Sequence, residues 1–258
     1  MMNPQTDREN PTVFDRLWGI LSELRQKLGD RFELQPNHAT ETLQSFSSPD
    51  GKVQGSLTAF SGSEIDWLVH SWLHNPMLNF STMRLTVWLG SQIRVPHLAF
   101  ELGTVPNVFF YMDYIPRVDL WSDLNYVERY YEPVEPTYLT LRGNSQLSLF
   151  VSKSLYVRQV QSPTHLCYTC SATEDPCGLI HNLAHEMLDR WLSWVDEAEP
   201  VPETARTALA ERDSCLRRIS AERDPGNRMA VQLFGSELTD RLVRALWGDH
   251  NISSVVEE

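Results

Sequence analysis

Five short runs in the first half of the chain, residues 53–60, 65–73, 83–89, 96–102 and 108–113, have a β-like character, and in the fourth Leu98, Phe100 and Leu102 alternate with Ala99 and Glu101. A period of two predicts β-strands. Their links are far shorter than the dozen or so residues a parallel crossover needs, so the strands should pair as an antiparallel meander. Ahead of them Phe14, Leu17, Trp18, Leu21, Leu24 and Leu28 recur at helical spacing, with Thr12 placed to cap an amphipathic helix and Gly29 to stop it. Past Pro116 the period lengthens. A helix is expected from near Ser122 through Tyr126, Val127, Tyr130 and Tyr131, and others over 179–195, 202–220 and 236–247, the last capped by Ser236 after Gly235. Strands in a block with helices before and after them predict an α+β protein whose antiparallel sheet is covered by helices on both faces. No repeat or compositional break divides the chain, so residues 1–258 read as a single domain, with about ten residues at the start and about eight at the end flexible.

The formal charge of −12 and pI near 5.1 argue against binding nucleic acid or an anionic membrane, both of which call for clustered Lys and Arg. The charge is uneven. Residues 205–244 hold eight arginines (206, 212, 217, 218, 223, 228, 241 and 244) against six acids, making this end the natural place for an acidic ligand or partner, unless the charges only lace a solvated helix face. No stretch has the length and apolarity of a membrane helix, and the first ten residues lack the apolar core of a secretory signal and the basic character of a transit peptide. A cytoplasmic location is expected, with four cysteines kept as thiols.

Three groups of residues invite a chemical reading. In the run around Leu98, Phe100 and Leu102, Glu101 projects to the opposite face, and two readings fit it: an edge acid facing water, or a poorly hydrated carboxyl whose raised pKa makes it a proton donor. Cys167, Cys170, Cys177, His181 and His185 have the look of a zinc or iron-sulfur ligand set. No second C-x-x-C completes it and Cys215 lies far away, so no metal is expected. His70, Trp72 and His74 share a strand face that would suit a flat conjugated ligand, or belong to the core. Phosphate loops, nucleophile elbows and dinucleotide fingerprints are absent, leaving nucleotide and flavin cofactors without support. Asp224, just before Pro225 and close in sequence to Arg217, Arg218, Arg223 and Arg228, reads on its own as a helix-terminating residue.

Taken together, several stretches resemble red chlorophyll catabolite reductase, a relative of the ferredoxin-dependent bilin reductases. They are the strands around Glu101 with Asp113-x-x-Pro116, Tyr130-Tyr131-Glu132, the run from Val151 to Arg158 with Ser162-Pro-Thr164, and the Arg-rich block ending at Phe234-Gly235. The resemblance implies an α/β/α sandwich about a central antiparallel sheet and the reduction of a linear tetrapyrrole lying between sheet and C-terminal helices. It also implies reduced ferredoxin as electron donor and no bound cofactor. By the resemblance Glu101 matches the acidic strand residue tied to proton transfer and Asp224 the acidic residue of the C-terminal block that faces the tetrapyrrole, and both are the expected catalytic acids. Arg158, Arg217 and Arg218 are the expected partners of the pigment's carboxylates, with His70, Trp72 and Asp113 also at the substrate. A bacterial origin and a biliverdin-type substrate fit the missing plastid leader as well as red chlorophyll catabolite does. A bilin carrier without catalysis is the alternative, a metal oxidoreductase built on the Cys/His segment a third reading. Pairing into a homodimer is compatible with the family.

Overall fold

The computed structural model describes residues 11–171 and 175–248, and the ends expected to be flexible fall largely outside them. The chain opens with α1 (Val13–Arg31), which buries Leu17, Ile20, Leu21, Leu24 and Leu28 along one stripe. Thr12 caps it as expected, in a reciprocal box with Asp15. The short β1 (Gln35–Pro36) and β2 (Phe46–Ser47) precede the long strands β3 (Gln54–Ser61), β4 (Ile65–Asn75), β5 (Phe80–Leu89), β6 (His97–Val105) and β7 (Asn107–Ile115). Next come α2 (Leu124–Tyr130), α3 (Glu135–Arg142), β8 (Leu147–Leu149), α4 (Leu155–Val160) and β9 (Leu166–Cys170). Four helices close the chain: α5 (Pro176–Asp196), α6 (Glu203–Arg223), α7 (Gly226–Phe234) and α8 (Ser236–Trp247). The strands form one sheet in the order β1-β3-β4-β5-β6-β7-β9-β8, with β2 also on β3, and every pairing is antiparallel. The expected α+β architecture is present, an antiparallel sheet with helices on both faces.

Several details differ from the sequence reading: Gly29 lies inside α1, which runs on to Arg31 and ends at Phe32, and α3, β8, α4 and α7 form where periodicity predicted no element. Strand β9 lies within the Cys segment, and Ser236 is the first helical residue of α8 rather than its cap. The cap is Gly235, whose φ of +77° lets the chain turn from α7 into α8 without the strain a Cβ would bring.

The two faces of the sheet are closed differently. Leu85, Leu98, Phe100, Leu102, Phe110 and Met112 meet α1 and α5 in a continuous apolar core. Each fully buried Leu or Phe there contributes about 1.5–3 kcal/mol. On the other face α7 and α8 supply Phe234, Leu242 and Ala245 to a smaller cluster with Leu57, Trp67, Val69 and Trp88. Helix α6, also on this side, buries only Asp213, Arg217 and Ala221, so charge does the anchoring that an apolar stripe does elsewhere.

Arg117, 1% exposed just beyond β7, donates through Nε to Asp213 at 3.1 Å and through its terminal nitrogens to Asp213 and to the carbonyls of Leu89, Gly90 and Ile93. His97 accepts the Leu89 amide at Nδ1, which leaves its proton on Nε2, 3.0 Å from the Asp213 carboxylate. Burial, with the Arg117 charge, pushes His97 down to about 4. Burial alone would raise the Asp213 pKa, but His97 and Arg117 hold it below the usual carboxylate range.

Arg117→Met should lower stability by about 3–5 kcal/mol in urea unfolding, because it strands a buried carboxylate. A loss below 1 kcal/mol would show the linkage to be dispensable. Acid should also weaken the fold. His97, at about 4, and His70, at about 3, are both held below the ordinary value of about 6.5, so the unfolded chain binds more protons than the native one between those values. Stability therefore falls as pH drops from about 6.5 toward 4. Denaturation midpoints measured across that range should show the decline, and His97→Gln should make it shallower.

Candidate active site

Antiparallel register lines up one residue from each strand, and on the α6–α8 face one such row runs Leu57, Ser71, Arg84, Glu101, Tyr111, Cys167. All six line a cavity of about 580 Å³ roofed by α4, α6, α7 and α8. That volume lies within the range of small-molecule sites. Its wall is mostly apolar, with Trp88, Phe109, Leu233, Phe234, Leu246 and Trp247 among the larger groups. Exposed Phe150, Tyr156 and Met229 also border it.

Charge is concentrated in the middle of the row. Glu101 receives Arg84 Nη2 at 3.0 Å and the Thr82 hydroxyl at 3.3 Å. Asp224, the C-cap of α6, reaches the same cavity from the roof, held by the Gly226 amide at 2.8 Å. Burial raises the Asp224 pKa; the Arg84 charge and the Gly226 amide oppose this, and the Glu101 charge adds to it. Burial works against the Arg84 cation, but Glu101 and Asp224 more than offset it. The two acids singled out in the sequence thus share one cavity and one arginine. The lone, poorly hydrated acid expected at Glu101 is instead an ion-pair partner, and the raised carboxyl is Asp224.

Around this centre lie three further ionisable groups, Tyr111, Asp113 and Cys167. Tyr111 donates to Asp113 at 2.7 Å, and Asp113 also accepts the Ser162 amide at 3.0 Å. Burial lifts both pKa values, that of Tyr111 further because Asp113 stands beside it. Burial, with Glu101 and Asp113 nearby, pushes the Cys167 thiol up to about 12. A thiol so disfavoured as thiolate is a poor nucleophile or metal ligand at neutral pH.

The remaining expected residues lie elsewhere. His70 and Trp72 alternate to the α1 face of β4: His70 stacks on Trp18 at 4.1 Å and Trp72 meets Phe14 edge-on at 5.5 Å; Trp72 also borders the cavity, and His70 does not line it. Asp113 is on the cavity face but sealed beneath Ser162. Arg217 is buried, pairs with Asp66 and donates to the Trp247 carbonyl, tying α6 to the end of α8. Arg158 is exposed and turns back to the Ser152 carbonyl, while Arg218 is exposed on α6. None of these three arginines lines the cavity; Arg84 and Arg223 do. Arg84 was overlooked because a cation in an apolar strand resembles an edge residue until its cross-strand partner is known. The same alternation that marked Glu101 marks Arg84. The proposed Cys/His ligand set does not assemble, since Cys167 and Cys170, three apart on β9, point to opposite faces of the sheet.

A nine-stranded antiparallel sheet with a cavity beneath C-terminal helices is also the fold of a solved bilin-binding protein. The structure of phytochromobilin synthase from tomato, solved in complex with biliverdin, superposes with a TM-score of 0.80 at 15% identity, covering 93% of this chain and 85% of that one. The family model for red chlorophyll catabolite reductase matches residues 17–247, and the chain belongs to that family. It is 27% identical over 244 residues to red chlorophyll catabolite reductase 1, chloroplastic, of Oryza sativa subsp. japonica, across 87% of this chain and 73% of that protein. To red chlorophyll catabolite reductase of Hordeum vulgare it is 26% identical over 194 residues, 69% of this chain and 94% of the other. The bacterial, cytoplasmic setting expected from the sequence does not stand, since the rice relative is chloroplastic. No helix among the described residues is long and apolar enough to cross a membrane.

Arg84 is the hinge of the site's electrostatics. In Arg84→Met the Asp224 carboxyl should titrate at higher pH than in the parent, followed by carbon-13 NMR of labelled aspartates. An unchanged Asp224 titration would mean that the two groups are not coupled.

Proposed function

We propose that this protein reduces a linear tetrapyrrole, red chlorophyll catabolite or a biliverdin-type bilin, with electrons from reduced ferredoxin and protons from side-chain carboxyls. The observation that carries the reading is an apolar cavity of suitable size with two acids and an arginine at its centre. Family membership and the names of the rice and barley relatives support a chlorophyll-catabolite substrate, and the biliverdin in the tomato neighbour supports an open-chain tetrapyrrole more generally.

Ferredoxin supplies single electrons, so reduction proceeds through a pigment radical and each added electron is matched by a proton. Asp224, with its raised pKa, is the group best suited to hold a proton near neutral pH and to give it up as charge develops on the pigment. Glu101 forms the opposite wall and returns to its resting state beside Arg84. Arg84 then has two tasks: it balances the acids at rest and stabilises negative charge arriving on the ring system. The pigment's carboxylates are assigned to Arg223 at the exposed edge, since Arg binds carboxylates bidentately. The docking patch for acidic ferredoxin narrows to the exposed Arg218 and Arg228. Arg206, Arg212, Arg217, Arg241 and Arg244 are already engaged by carbonyls, a hydroxyl or carboxylates.

Anaerobic assay with red chlorophyll catabolite or biliverdin, reduced ferredoxin and an electron-regenerating system tests the proposal. Progressive loss of the pigment's long-wavelength absorption is expected. A static red-shifted spectrum would instead make the protein a carrier. Asp224→Asn and Glu101→Gln should each keep pigment affinity within a few-fold and slow turnover by about 10²–10⁴; unaltered rates would remove those carboxyls from proton delivery. Raising ionic strength should slow ferredoxin-driven turnover, and a salt-independent rate would exclude the arginine patch as the docking surface.

A further inference from the structure

The histidines of the Cys/His segment have a partner that spacing did not show. On the sheet face away from the cavity, α1 and α5 are held together by a seam of polar contacts: Arg16 with Asp175 at 2.6 Å, Lys27 with Asp189 at 2.8 Å and Arg31 with Asp196 at 2.7 Å. Between the first and second of these the pattern changes. Glu23 of α1 faces two imidazoles of α5, with Oε2 lying 3.3 Å from His181 Nε2 and 3.1 Å from His185 Nε2. The rings are 4.3 Å apart, and one ligand atom from each of the three residues lies within 4.8 Å of the others.

We propose that Glu23, His181 and His185 form a binding site for zinc or a similar divalent transition-metal ion that fastens α1 to α5. Two imidazole nitrogens and a carboxylate oxygen suit such ions, and in a tetrahedral zinc site with bonds of about 2.0–2.2 Å the ligand atoms stand roughly 3.3–3.5 Å apart. Both nitrogen-to-oxygen separations are already close to that. Histidines one helical turn apart project from the same face of α5, so both imidazoles can reach one ion by side-chain adjustment alone.

A second observation concerns the proton on His181. Its Nδ1 lies 3.3 Å from the Asn182 side-chain oxygen, an acceptor that favours a proton on Nδ1. That tautomer turns an Nε2 lone pair toward the Glu23 carboxylate. Two electron-rich atoms face to face repel, and a shared cation turns the contact into an attraction; the outer contact on Nδ1 is also the usual orienting bond of a metal-binding imidazole. Lys27, the nearby cation, is taken up by Asp189. Glu23 and His181 are 58% and 45% exposed, which leaves the ion an entry path and room for water to complete its coordination. Among the described residues no cysteine belongs to this group.

Tag-free protein stripped with chelator and titrated with ZnCl₂ in a calorimeter provides the test, with the thermal midpoint followed in parallel. One saturable equivalent per chain is expected, together with a rise of several degrees in Tm. Glu23→Gln and His185→Ala should each weaken zinc affinity at least tenfold and remove most of the rise. Glu23→Gln keeps the shape of an exposed side chain and so separates ligand loss from misfolding. Pigment binding should be the same with and without zinc, the site being on the other face of the sheet. Absence of saturable uptake would overturn the proposal, as would equal affinity in the parent and in a His181→Ala/His185→Ala double variant.

Discussion

Everything on the functional side of the sheet depends on how α6 is held above it. The Asp213 carboxylate, caught between Arg117 and His97, joins α6 to the end of β7, the β5–β6 loop and the start of β6. A buried ion pair costs several kcal/mol of desolvation per ion and is repaid only when the remaining donors are satisfied. Arg117 meets that condition through three backbone carbonyls besides the carboxylate. Arg217 repeats the device farther along α6 with Asp66 and the end of α8. A helix anchored at two charged points need not press an apolar stripe onto the sheet. The apolar side chains beneath it therefore line a cavity instead of filling a core.

The sheet itself then arranges the chemistry. Cross-strand register converts six strands into a single transverse row, in which Arg84 and Glu101 are direct neighbours and Tyr111 and Cys167 follow. On the far side the same strands present a mainly apolar surface to α1 and α5, with His70 and His74 stacked on Trp18 and Phe14 of α1. Charge is tolerated on the cavity face because each member has a counterpart: Arg84 for Glu101 and Asp224, and Tyr111 with the Ser162 amide for Asp113. An acid facing an arginine in an apolar setting is balanced at rest and responsive to any charge that enters between them, which is what a redox substrate brings.

Much of this could be read in the sequence where local periodicity decides the outcome. The five long strands, the antiparallel order, Thr12 as cap and the placement of Glu101 opposite Leu98, Phe100 and Leu102 all follow from alternation and link length. Arg84 as the partner of Glu101 and the conversion of Arg217 from ligand to strut did not follow, because both depend on contacts made across strands or between elements far apart in sequence. His70 and Trp72 show a subtler limit. Their shared strand face was correctly read, but periodicity says only that two residues point the same way, and here that way is toward α1. Strand β9 was missed because its cysteines suggested ligands before they suggested a pleat.

The central claim is that Glu101, Arg84 and Asp224 act on the substrate as one charged unit within the cavity. A crystal structure of the protein with a bound linear tetrapyrrole tests it most directly. The pigment should lie between β5–β7 and α6–α7, with its pyrrole nitrogens or lactam oxygens within hydrogen-bonding distance of both carboxyls. A pigment bound outside the cavity, or one within it that touches neither acid, would contradict the account.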